Sequence, residues 1–162
     1  MQLDPDELIA LGRDHLEQGR IEEALLKVKA ALAQPEPPVG AHALAARIYA
    51  RLRLYDRSIG LLQHTLKEAP DSTERQLELA MAYQDSGDAE NALQHWNAML
   101  ERHPLLPPAL FNAAWLLAQR KRLAEANRHI DVLLQTAAAD NLYVGRAREL
   151  QHMVNGMAVA QE

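Results

Sequence analysis

Leu11, Ala45, Leu79 and Ala113 are each followed four residues later by His15, Tyr49, Tyr83 and Leu117, so that each pair lies on one stripe of a helix. Both sets step along the chain at an interval of 34 residues. Sliding the sequence against itself at that interval gives four units, 5–38, 39–72, 73–106 and 107–140, with a short leader and a 22-residue tail. Small residues recur at the eighth position of each unit (Gly12, Ala46, Ala80, Ala114) and at the twentieth (Ala24, Ser58, Ala92, Ala126). Two antiparallel helices approach closely only where the facing side chains are small, so each unit is expected to be a helical hairpin crossing at these positions. The twenty-fourth position, large and apolar in Val28, Leu62, Trp96 and Ile130, fills the space beside the crossing.

Local signals agree with the hairpins. Asp4, Pro5 and Glu7 read as an N-cap, a proline at the first helical position and a capping acid, and Asp71 with Glu74 is expected to repeat the device. Gly19 and Gly87 stand where the first helix of units one and three must end in a left-handed residue. Arg53 and Lys121 hold the equivalent positions in the other two units, so those turns either carry backbone strain or take another form. The segment from Gln34 to Pro38 is an extended joint that keeps the period. In the tail, Val144, Ala147, Leu150, Val154 and Met157 fall at helical spacing, as a closing helix requires.

The period, the small crossing positions and the third unit's Leu79, Ala80, Tyr83, Gly87, Ala92, Trp96 and Pro104 together resemble the tetratricopeptide repeat. The fourth position departs from the family pattern, reading Leu8, His42, Gln76 and Leu110 in place of a large aromatic, and the closing proline is kept only as Pro70 and Pro104. The resemblance implies an all-α, right-handed α-solenoid of antiparallel helix pairs with about nine helices. It would form a single domain over 1–162, with a capping helix at 141–159. It also implies that the first helices line a concave groove for a partner polypeptide.

Carried onto this sequence position by position, the groove offers Arg13, Arg47 and Arg51 at one end and Leu77, Met81, Phe111 and Trp115 at the other. That gradient suits a peptide or helix bearing carboxylates followed by large apolar anchors. Two alternatives stand beside it: the arginines pair with exposed acids such as Asp14 and Glu17, and Phe111 and Trp115 pack beneath the capping helix under Val144 and Leu150. Some members of the family clamp a chaperone's C-terminal carboxylate with lysines and asparagines. Here Glu74 and Glu78 stand where that clamp is basic, so chaperone-tail binding is not expected.

Composition narrows the function further. Alanine and leucine are abundant, aromatic residues make up only 4%, and no cysteine is present, which removes thiol catalysis and cysteine-rich zinc sites. The net charge of -5 opposes nonspecific attraction to nucleic acid or an anionic membrane. Arg47, Arg51, Arg53 and Arg57 make the second unit basic, and Arg120, Lys121 and Arg122 form a second cluster. Units one and three are acidic, so no continuous basic track is expected. No run approaches the roughly 18 apolar residues of a membrane span. Residues 1–10 have neither a basic start nor an apolar stretch, so no signal peptide is expected and the cytoplasm is the expected compartment. Excision from a longer protein would leave a periplasmic or membrane-tethered location open.

Catalytic chemistry has no foothold, since phosphate loops, His-Glu-x-x-His pairs and nucleophile elbows are all missing. His95, Met99 and His103 share one helix, but Met99 falls in a packing position, so neither a metal nor any other cofactor is expected. The expected function is a non-enzymatic scaffold or adaptor that binds a segment of another protein, in the manner of a bacterial assembly factor or secretion chaperone. Self-association into a homodimer or filament is the rival reading.

Overall fold

The computed structural model describes residues 4–38 and 40–160. Among these residues the chain forms nine helices and no strand: α1 Pro5–Glu17, α2 Ile21–Leu32, α3 Ala41–Arg51, α4 Tyr55–Glu68, α5 Thr73–Ser86, α6 Ala89–Arg102, α7 Pro107–Gln119, α8 Leu123–Thr136 and α9 Leu142–Val159. They gather into two compact units, one holding α1 to α5 up to Asp88 and the other α6 to α9 from Ala89.

Four short turns, each following an odd-numbered helix from α1 to α7, use one hydrogen-bond pattern. Arg20, Leu54, Asp88 and Arg122 donate their N–H to the carbonyls of His15, Tyr49, Tyr83 and Leu117, at 2.8–3.0 Å. In each, the residue just before that donor has a positive φ: 74° at Gly19, 59° at Arg53, 88° at Gly87 and 58° at Lys121. This is the Schellman arrangement, in which a left-handed residue lets two amides satisfy the last free carbonyls of the helix. Arg53 and Lys121 therefore take the strained conformation that glycine takes freely in the other two turns.

In the first unit, α1 crosses α2 at Gly12, where an added Cβ would meet Leu44 Cδ2 at 3.2 Å and the Ala24 carbonyl at 3.6 Å. The core beside that crossing is built from Leu8, Ile9, Leu16, Val28, Leu44 and Ile48. A second cluster, Ala46, Leu62, Leu79 and Ala82, joins α3, α4 and α5. Asp4 caps α1 as the sequence suggests, accepting from Asp6 N–H at 2.9 Å while Glu7 accepts from Asp4 N–H at 3.0 Å. At α5 the cap is Ser72 rather than Asp71: its hydroxyl accepts from Arg75 N–H at 3.4 Å, and the helix starts one residue later than expected.

In the second unit, Ala114 and Ala126 are fully buried where α7 packs on α8, and Trp96 is fully buried on α6. α9 packs against both α7 and α8 through Val144, Ala147, Leu150 and Val154. Met157, expected on the same stripe, is 37% exposed, because the buried stripe ends at Val154. At the eighth position counted from Asn141, α9 carries the exposed Arg148 where each preceding first helix has glycine or alanine.

Candidate functional site

Arg47 and Arg51 lie one turn apart on α3, so they project from the same face, with Ala46 and Ala50 beside them. α5 presents Glu78, Met81, Ala82 and Asp85 toward the same space, α1 contributes Leu16 and Glu17, and Ser58 and Leu62 of α4 form the floor. Together these side chains line a pocket of about 520 Å3, wholly within the first unit. Its size lies in the range of ligand-binding clefts; half of its lining residues are apolar, three alanines with Leu16, Leu62 and Met81, and Glu17, Glu78 and Asp85 stand with Arg47 and Arg51 around them.

The charges are unevenly satisfied. Glu78 Oε2 accepts a hydrogen bond from Arg75 at 2.6 Å, and its Oε1 lies 3.7 Å from Arg47 Nε. Burial nevertheless holds the Glu78 carboxyl above the ordinary carboxylate range, outweighing the hydrogen bond and charge of Arg75 and the more distant Arg47. Asp85 is likewise raised by burial, against the pull of Arg53. Arg51 is exposed and forms no ion pair among the described residues, and Arg47 makes only the long contact to Glu78. The pocket thus carries two guanidinium groups with donors to spare.

Of the seven residues singled out by sequence, the structure brings Arg47, Arg51 and Met81 together in this pocket; Met81 is 49% exposed. Arg13 is exposed on α1 and Leu77 half-buried on α5, both outside the pocket lining. Asp14, one acid proposed to pair with Arg13, is engaged by Arg20 at 3.6 Å and Gln18 at 2.7 Å. Phe111 and Trp115 belong to the second unit. Phe111 is only 6% exposed: the Arg146 guanidinium stands 4.4 Å from its ring centroid and the Tyr143 ring 5.6 Å away. Of the two places open to it in the sequence, it takes the one beneath α9. Trp115 is half-buried. Sequence reasoning reads Glu78 only as an acid standing where a carboxylate clamp would be basic, and Ser58 only as a crossing position, and places neither in the pocket.

The second cluster of cations is largely spent on internal pairs. Arg120 bonds Glu90 at 2.8 Å, and Arg122 makes two 2.7 Å bonds to Glu125 in a shallow hollow between α8 and α9. His103 lies past the end of α6 at Arg102, so it does not share the helix of His95 and Met99; Met99 is buried in the core while His103 is exposed, and no group of three metal-ligating side chains forms among the described residues. No described helix is long and apolar enough to cross a membrane.

An all-α array of short helical hairpins with a pocket on its first-helix face defines a protein-interaction scaffold, a class that is generally non-enzymatic. The tetratricopeptide repeat model matches residues 9–73 and 77–141, and the chain belongs to that family. Solved structures agree at the level of the fold. MamA AMB-1 superposes with a TM-score of 0.75 at 18% identity, covering 95% of this chain and 82% of its own. YrrB, described as a TPR protein with an unusual peptide-binding site, gives 0.72 at 18% identity, covering 85% and 71%. A tetratricopeptide repeat protein from Parabacteroides merdae gives 0.75 at 20% identity, covering 94% and 60%. No curated protein sequence matches the chain at a significant level.

Proposed function

We propose that the chain is an adaptor that binds a segment of a partner protein in the pocket formed by α1, α3, α4 and α5. The observation that carries this reading is the coincidence of an open apolar pocket with Arg47 and Arg51, two cations that the protein's own acids leave largely unengaged. A partner segment bearing a carboxylate beside an apolar anchor matches both features. Arg13, on the same unit, would extend the positive field toward a longer acidic segment. The likeness in fold to YrrB, described as having an unusual peptide-binding site, supports this reading. Within it, an assembly or secretion-chaperone function in the cytoplasm is the setting we favour.

A library of short peptides sharing one fixed glutamate tests the reading. Peptides retained by the wild-type protein at low salt should be lost at high salt and lost from Arg47→Gln/Arg51→Gln, because exposed ion pairs are screened within roughly 10 Å at 0.1 M salt. Retention that ignores both salt and the double substitution would reject the pocket. The rival reading, self-association, draws on the exposed Leu142, Met153, Met157 and Val159 of α9. Light scattering at rising concentration rejects it if the mass stays at one chain.

A further inference from the structure

Glu17, Arg51 and Asp85 hold one position of the repeat, 34 residues apart in successive units, and all three line the same pocket. Each lies in the last turn of its helix, α1, α3 and α5 in order, and α3 touches both of the others. The pocket therefore carries a row that reads acidic, basic, acidic from one first helix to the next. All three side chains are exposed, and none forms an ion pair among the described residues. The other two charged groups of the lining face each other: Glu78 lies 3.7 Å from Arg47 and bonds Arg75 at 2.6 Å. Partial desolvation holds the Asp85 carboxyl above its ordinary range against the pull of Arg53, so its charge is under-compensated.

Resting on the reading that the pocket receives a partner segment, we propose that this row selects the charge order of that segment, which runs extended across α1, α3 and α5 and presents a basic, an acidic and a basic side chain in turn. The central carboxylate meets Arg51, with Arg47 one turn away on the same helix, and the flanking bases meet Glu17 and Asp85. Spacing follows from the helices. Packed helices stand about 8–10 Å apart, and a polyproline II chain brings every third side chain to one face about 9 Å further on. The segment therefore bears its charges at every third residue, and because the row is symmetric in sign, either chain direction satisfies it. Ala46, Ala50 and Ala82 leave room for its backbone to lie close against the lining. An α-helix, about 10–12 Å across, is too broad for a pocket of about 520 Å3 that spans three helices.

The test uses two end-blocked peptides of one composition and one net charge, Lys-Pro-Pro-Glu-Pro-Pro-Lys and Lys-Pro-Pro-Lys-Pro-Pro-Glu. Fluorescence polarisation at low salt measures their binding to the wild type, to Arg47→Gln/Arg51→Gln and to Glu17→Arg/Arg51→Glu, which exchanges two charges of the row without changing their sum. The wild type should bind the basic–acidic–basic peptide about tenfold more tightly, because the other order turns two attractive contacts into repulsive ones. In Glu17→Arg/Arg51→Glu the row reads basic, acidic, acidic, and the preference should invert. Equal binding of the two peptides by the wild type, or a preference that the exchange leaves unchanged, overturns the row. If that binding is nevertheless lost from Arg47→Gln/Arg51→Gln, the pocket reading stands without it. Failure of both peptides to bind the wild type also overturns the row, and the glutamate library then decides whether the pocket reading falls with it.

Discussion

Arg47 on α3 and Glu78 on α5 face each other at 3.7 Å, but the shorter bond of Glu78, 2.6 Å, goes to Arg75 on its own helix. One carboxylate is thus shared between two guanidinium groups, and the one inside the pocket holds it loosely. A ligand carboxylate would find Arg47 in position and only weakly engaged, whereas capturing Arg75 would require breaking a close charge-assisted hydrogen bond.

The half-buried Glu78 fixes the sign of one pH effect. Its folded pKa lies above its ordinary value of 4.5, so its contribution to stability is whole below that value and is lost as pH rises through the folded pKa. Glu78→Gln should therefore be the more stable protein at neutral pH, by less than about 1 kcal/mol, and the advantage should vanish in acid. Urea unfolding of both proteins across the acid range reads the difference. A wild type that is the more stable at neutral pH would mean that the Arg75 bond outweighs the cost of burial.

Surface charge and helix crossing should respond in opposite ways. Arg13→Gln and Arg51→Gln remove exposed charges with no ion pair among the described residues, and each should leave unfolding within about 0.5 kcal/mol of wild type. Ala126→Leu forces a larger side chain into a fully buried site on α8 and should cost about 1–3 kcal/mol. Equal losses from both kinds of change, measured by chemical denaturation, would refute this division between interaction surface and core.

The turns carry removable strain. Lys121 holds a φ of 58° in the same Schellman arrangement that Gly19 and Gly87 adopt. Lys121→Gly should stabilise the second unit by about 0.5–1 kcal/mol, the cost of a left-handed side chain less the extra freedom of glycine when unfolded. Gly87→Ala should destabilise by a similar amount, of order 1 kcal/mol. Thermal unfolding of the two variants must move in opposite directions.

The helices were legible because small residues and left-handed turns recur at one interval, and no competing pattern offsets them. The start of α5 was misread because Asp71 and Ser72 are adjacent and both suit a cap; which of them bonds to the helix depends on backbone torsions that sequence does not state. The site was legible only in part. Arg47, Arg51 and Met81 follow from their positions in the repeat, whereas the importance of Glu78 arises from burial between two arginines on different helices. Phe111 sits at a position that reads as groove or core alike, and only the fold of α9 over it distinguishes them.

That placement makes Phe111 the most informative aromatic to truncate. With its ring buried under Arg146 and Tyr143, Phe111→Ala should cost about 3–5 kcal/mol, as removal of a core aromatic does. A groove anchor would instead lose affinity with little change in stability. Arg146→Gln should cost about 0.5–1 kcal/mol through the lost cation–π contact. In the double variant the second change should add almost nothing, because the guanidinium no longer has a ring to cover. If the two losses simply add in urea unfolding, Arg146 does not act through Phe111, and α9 is held by its buried stripe of Val144, Ala147, Leu150 and Val154 alone.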